Sequence, residues 1–120
     1  MVGYVDGFLM PVPKRKVAAY RRLARLAGKV WKDHGALDYV ECIAEDVKLG
    51  KWTSFPQAVK LKSSEVVWFS WITYKSRAHR DRVLAKVMKD PRLAKTMNGK
   101  DVPFDARRMI WGGFKPVVRL

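Results

Sequence analysis

Cysteine, acidic charge and long apolar runs are all scarce in this 120-residue chain, and each scarcity excludes something. Cys42 is the single cysteine, so no internal disulfide braces the fold, and a reducing cytoplasm suits it. No uninterrupted apolar stretch approaches the roughly 18 residues of a membrane-spanning helix. The opening MVGYVDGFLM lacks the basic start and long apolar centre of a secretory signal. A cytoplasmic location without membrane attachment is therefore expected. Histidine is limited to His34 and His79, and no C-x-x-C, H-E-x-x-H or EF-hand spacing occurs, so no metal is expected. There is no glycine-rich phosphate loop and no G-x-S-x-G elbow, hence no cofactor signature and no marked nucleophile. Enzymatic activity is left undecided.

What the chain does have is apolar bulk and positive charge. Hydrophobic residues make up 48% and aromatics 12%, enough for one globular domain spanning residues 1–120. Lys and Arg number 25 against 11 acidic residues, a formal net charge of +14. Such a field draws polyanions without a specific site, so RNA or other polyanion binding is one functional alternative. Nucleic-acid affinity of this kind would be nonspecific.

Residue periodicity divides the chain into strands and helices. Gly3 to Met10 alternates as a first strand, which Pro11 and Pro13 are expected to end. From Pro13 to about Asp33 the period becomes helical: Val17, Tyr20, Leu23, Ala24, Ala27, Val30 and Trp31 form one apolar stripe, and Gly35 follows as a C-terminal cap. Leu37 to Ala44 reads as a second strand. Residues 45–64 are irregular, with one short helical turn near Gln57. Glu65 to Tyr74 is a third strand rich in Val, Trp, Phe and Ile. Ser76 caps a helix over Ala78–Asp90 with Val83, Leu84, Val87 and Met88 turned inward. Asp90-Pro91 opens a short helix closing near Asn98-Gly99, and Arg108 to Val118 is the last strand. The order β-α-β-β-α-β predicts an α+β, ferredoxin-like fold, a four-stranded antiparallel sheet with two main helices on one face.

The third strand then poses a problem. Trp68, Ser70 and Ile72 share one side while Val67, Phe69 and Trp71 share the other, so both faces of the sheet carry large apolar groups. Leaving such a face in water sacrifices on the order of 1.5–3 kcal/mol per large side chain. A base-stacking platform is one solution, but VVWFSWIT over Val66–Thr73 lacks the leading base, the glycine and the aromatic spacing of the RNA-recognition motif. The stronger expectation is a homodimer that packs sheet on sheet into a dimeric α/β barrel.

Several blocks carry a family resemblance: YVDGF at Tyr4–Phe8, HGALDYVEC at His34–Cys42, SFP at Ser54–Pro56, YKSRAHRD at Tyr74–Asp81, VMKDPR at Val87–Arg92, and PFD at Pro103–Asp105 followed by RMIWGGF. Spread almost end to end, they resemble the uncharacterised bacterial YbaA-type family. The resemblance implies a dimeric, ferredoxin-like α/β barrel and supplies no activity, cofactor or catalytic residue. By analogy of fold, a cofactor-free monooxygenase-like enzyme is a further alternative.

Candidate chemistry collects on two elements. Alternation along the second strand places Tyr39 and Glu41 together, with Asp6 able to join them, and the expectation is that they face the space between paired sheets. With Trp71 and Tyr74 they form a candidate binding set for a small organic or anionic ligand near that inter-sheet face, because a carboxylate among aromatics is a perturbed, functional kind of group. The structural alternative is a hydrogen-bond network in which Glu41 pairs with an arginine across the dimer. Cys42, with Val40 and Ala44, is expected on the helix-packed side and inert. Lys75, Arg77, His79 and Arg80 crowd the start of the second helix and form a candidate anion site, since cations there oppose the helix dipole.

Overall fold

The computed structural model describes residues 1–97 and 102–120. Strands β1 (Tyr4–Pro13), β2 (Asp38–Ile43), β3 (Glu65–Tyr74) and β4 (Ile110–Phe114) form one sheet in the order β2-β3-β1-β4, with every neighbouring pair antiparallel. Helices α1 (Val17–Asp33) and α3 (Arg77–Met88) both pack on one face, which is the split βαβ arrangement expected. Two shorter helices, α2 (Phe55–Ala58) and α4 (Pro91–Met97), and 3₁₀ turns at Lys14–Lys16 and Ala106–Arg108 complete the described helical elements. The expected close of α4 at Asn98-Gly99 lies outside the described residues.

Local rules explain most boundaries. Ser54 and Ser76 accept hydrogen bonds from the backbone N–H groups of Gln57 and His79, capping α2 and α3. Gly35 stands at φ +113 just past α1, where a side chain would be strained. One expectation fails: β1 runs through Pro11 and Pro13 instead of ending before them. Lys14 donates to the Ser64 carbonyl of the β3 side, so alternation turns the nitrogens of Pro11 and Pro13 the other way. On that side β4 pairs only with Val5–Leu9, and the missing donors fall beyond its end. The final strand is also shorter than Arg108–Val118: Ala106–Arg108 is spent on a 3₁₀ turn before it, and it ends at Phe114.

The core is divided. Val30, Ala36, Ile72, Tyr74, Val83 and Val87 form one buried cluster, and Met10, Val12, Tyr20, Ala24 and Trp68 form a second. Phe8 touches both. Met88, expected inward, is instead 62% exposed at the end of α3.

The far end of α1 is tied to α4 by charge. Asp90 accepts from His34 Nε2 at 2.8 Å and from the Arg92 guanidinium, whose Nη2 is at 2.8 Å and Nε at 3.1 Å. Arg92 also reaches Asp33 at 2.8 Å. The donors of Arg92 and His34 hold the Asp90 carboxyl well below its ordinary value of 3.8. A depressed carboxyl contributes stability above its unfolded pKa and loses it as the pH falls toward the folded one. Asp90→Asn should therefore lower the urea midpoint at neutral pH, with the gap to wild type narrowing steadily once the pH drops below 3.8. A gap that stays constant through that range would show that Asp90 contributes no charge-dependent stability.

Candidate functional site

Between the two core clusters the helices stand off the sheet and leave a cleft of about 550 Å³. Its floor is the helix-facing side of the sheet, with Asp6, Phe8 and Met10 from β1, Tyr39 and Glu41 from β2, and Ser70 and Ile72 from β3. Helix α1 supplies Tyr20, Ala27 and Trp31 as one wall, and α3 with α4 supplies Leu84, Val87 and Leu93 as another. Phe104, Met109 and Trp111 close the β4 side. Phe8 and Trp111 lie nearly parallel, centroids 6.2 Å apart and 16° between planes. The lining is apolar except for two carboxylates and a few hydroxyls.

Register decides which side chains meet here, and it corrects the expected faces. Glu41 stands opposite Ser70, and Tyr39 opposite Ile72, while Ile72 also faces Asp6 across β1. Asp6, Tyr39 and Glu41 therefore share the face under the helices, not the uncovered face. Tyr74 joins them, fully buried. Trp71 does not: it pairs with Val40 and Gly7 on the opposite side, beside Phe69 at 5.9 Å between centroids. Cys42 is opposite Phe69 and so also lies on that outer face, half-buried, rather than under the helices. The alternation along β2 was legible; its phase was inverted, because small apolar Val40 and Cys42 look more like core than a carboxylate does. What makes the carboxylate tolerable is the supply of donors.

Glu41 takes two of them. Tyr20 of α1 donates to Oε1 at 2.9 Å and Tyr39 donates to Oε2 at 2.6 Å. Burial first, and then the Glu41 charge, push both phenols far above their usual range, so they stay protonated donors. Glycine makes the second bond reachable. A Cβ at Gly28 would stand 2.8 Å from Tyr39 Cδ1, so the ring lies directly on the backbone of α1.

Asp6 is satisfied differently. Arg80 of α3 donates to its Oδ1 at 2.8 Å, and Tyr74 on the same face accepts from Trp31 Nε1 at 3.1 Å. Arg80 also holds Asp81 at 2.9 Å and lies 5.0 Å from the centre of the Tyr4 ring. Burial raises the Asp6 carboxyl against the opposing pull of Arg80 and Tyr74. Burial works against the Arg80 charge too, but Asp6 and Asp81 outweigh it and raise its pKa.

The four cations expected at the start of α3 do not converge. Lys75 and Arg77 are exposed, whereas Arg80 is buried on Asp6. His79 accepts the Lys75 backbone N–H on Nδ1 at 2.9 Å, and burial together with Lys75, Arg82 and Lys86 lowers its pKa. Among the described residues no group of three His, Cys, Asp or Glu could hold a metal ion. No described helix is long and apolar enough to cross a membrane. Sequence reasoning missed Tyr20, Trp31 and Phe104 as cleft residues. The available signal was Tyr20 itself, a polar-tipped ring on a buried stripe, which needs a partner for its hydroxyl.

Gly28→Ala should push the Tyr39 ring off α1, break its bond to Glu41 and destabilise the fold by about 1–3 kcal/mol. Urea unfolding with near-ultraviolet circular dichroism reads both effects. Unchanged stability and aromatic signal would mean the close Gly28–Tyr39 contact is not required.

Comparison with known proteins agrees with this architecture. The chain is 48% identical over 115 residues to the uncharacterised protein YbaA of Escherichia coli K12, covering 96% of this chain and 97% of that one. The Shigella flexneri YbaA matches equally. Among solved structures, a Pseudomonas aeruginosa protein superposes with a TM-score of 0.57 at 8% identity, covering 98% of this chain and 97% of its own. A NIPSNAP family protein of unknown function from Agrobacterium tumefaciens reaches 0.58 at 15% identity, covering 96% and 88%. These two likenesses concern the fold alone. A match over residues 3–106 to the family described as protein of unknown function (DUF1428), together with the YbaA relatives, places this chain in that family.

Proposed function

We propose that the protein binds a small organic molecule in the cleft between sheet and helices, and that it works as a homodimer paired through the outer face of the sheet. The cleft carries the first part. Protein interiors are close-packed, with few voids larger than a water molecule. A 120-residue chain that keeps about 550 Å³ open under its helices falls within the size range of ligand sites, roughly 300–1,000 Å³. Its apolar walls with a few convergent polar groups match the usual composition of such sites.

The outer face supports the second part. Phe69, Ile110 and Phe114 are 41%, 46% and 64% exposed there, with Trp71 half-buried beside them. With strands about 4.8 Å apart and about 3.3 Å per residue, the face measures roughly 500 Å² before flanking groups are added. Phe55 adds to it by an edge-on contact with Phe69 at 6.1 Å. A standard interface needs about 800 Å² per partner. The face is also uncharged across its centre, through Val5, Gly7, Leu9, Val40, Phe69, Trp71, Ile110 and Phe114. For a chain of net charge +14, an uncharged face lets a second copy approach without juxtaposing like charges.

Saturation-transfer NMR with indole tests the cleft: a saturable signal is expected from wild type and a loss of at least about tenfold in affinity from Ala27→Phe, which fills the space from α1. No saturable binding, or binding untouched by Ala27→Phe, would sink the reading. Light scattering should give twice the 13.8 kDa protomer mass, and Trp71→Asp should give a folded monomer. A monomeric wild type at micromolar concentration rejects the dimer. The +14 charge supports a weaker second activity, salt-sensitive polyanion binding. It predicts an affinity for RNA that falls steeply and linearly on a log–log plot against salt, whatever the sequence.

A further inference from the structure

Among the described residues, Asp6, Glu65 and Asp90 are buried and each comes with an arginine, whereas Glu41 does not. Asp6 has Arg80, Glu65 has Arg108, and Asp90 has Arg92. Among the described residues Glu41 has no cation within ion-pair distance, only the neutral hydroxyls of Tyr20 and Tyr39. A carboxylate offers about four lone-pair sites, and two phenols fill two of them. The remaining capacity belongs to a group on the cleft floor, beside Ser70, which in turn stands next to Phe8.

We propose that the cleft takes a flat, neutral aromatic bearing a hydroxyl or N–H, and that this donor is given to Glu41. The inference rests on the cleft being a ligand site and names the class of ligand. Three observations carry it. The walls favour a flat body, since Phe8 and Trp111 lie parallel and Trp31 and Tyr39 stand 6.0 Å apart on the opposite side. An anionic ligand in the cleft would meet the Glu41 charge, and like charges brought together beside apolar walls repel. A cation is disfavoured by the +14 field of the whole chain. A neutral donor avoids both penalties and still makes a charge-assisted hydrogen bond. Tyr20 and Tyr39 fit the same role as positioning residues, because each fixes one of the two carboxylate oxygens, Tyr20 holding Oε1 and Tyr39 holding Oε2.

The test compares four probes of one shape on the full wild-type chain, read by tryptophan quenching: 2-naphthol, 2-methoxynaphthalene, 2-naphthoate and 2-naphthylmethylammonium. The naphthol should bind at least about tenfold tighter than its methyl ether, which lacks only the donor, and tighter than either ion. Glu41→Gln, which removes the charge and keeps the shape, should shrink the naphthol-to-ether ratio to within about threefold. Because the ligand comparison is made on wild type, a variant that fails to fold does not remove the test. Equal affinity for naphthol and ether overturns the donor assignment while leaving the cleft as a ligand site. Tightest binding by the ammonium or the carboxylate overturns it in favour of an ion site. Saturable binding by none of the four overturns the donor assignment and the cleft reading together.

Discussion

Two carboxylates on the helix-facing side of the sheet, Asp6 and Glu41, set the terms for everything packed above them. A charged group taken from water must be given donors, or folding loses several kcal/mol to it. Two of the donors come from the covering helices, Arg80 from α3 and Tyr20 from α1, and a third, Tyr39, from the sheet itself. Each is a long or bulky side chain. Helices that must deliver such groups to the sheet cannot settle on it as closely as helices presenting only alanine and valine. The cleft follows from that requirement, and so does the division of the core into two clusters bridged by Phe8.

The same sheet resolves its two faces by opposite means. Under the helices, polar groups are admitted and satisfied within the chain. On the outer side, the central side chains are apolar, and of the described helices it is the one-turn α2 that reaches them, through Phe55 against Phe69. Glycine assists on both sides. At Gly113 a Cβ would come within 2.3 Å of the Tyr4 hydroxyl, so the ring lies across bare backbone on the helix side. At Gly7 and Gly112 it would stand 3.7 Å from the Phe114 ring, which spreads over them on the other.

Much of this was legible from residue order. The limits of β3, the Ser76 cap, the α1 stripe and the strand order all follow from local periodicity and turn chemistry. The pairing of Tyr39 with Glu41 was legible too, from alternation along one strand, and periodicity allowed Asp6 of another strand to join them. Their side of the sheet was not. Periodicity fixes which residues share a face, but only the partners across space fix which face is covered, and those partners are 21 residues away for Tyr20 and 74 for Arg80. Trp71 was misgrouped for the same reason. The run of β1 through two prolines escaped notice because it depends on where β4 stops, a fact of register that no local rule contains.

Those prolines bear on how copies of this chain can meet. Past Leu9, the side of β1 that faces away from β3 passes Pro11 and Pro13 without presenting a single backbone N–H. A strand from another molecule laid there would find acceptors and no donors, and the ladder would stop at once. Edge-to-edge growth of the sheet into a continuous ribbon is blocked along that stretch, in a protein whose strands are apolar enough to favour it. Along that stretch the sheet offers a neighbouring molecule its flat face rather than its edge.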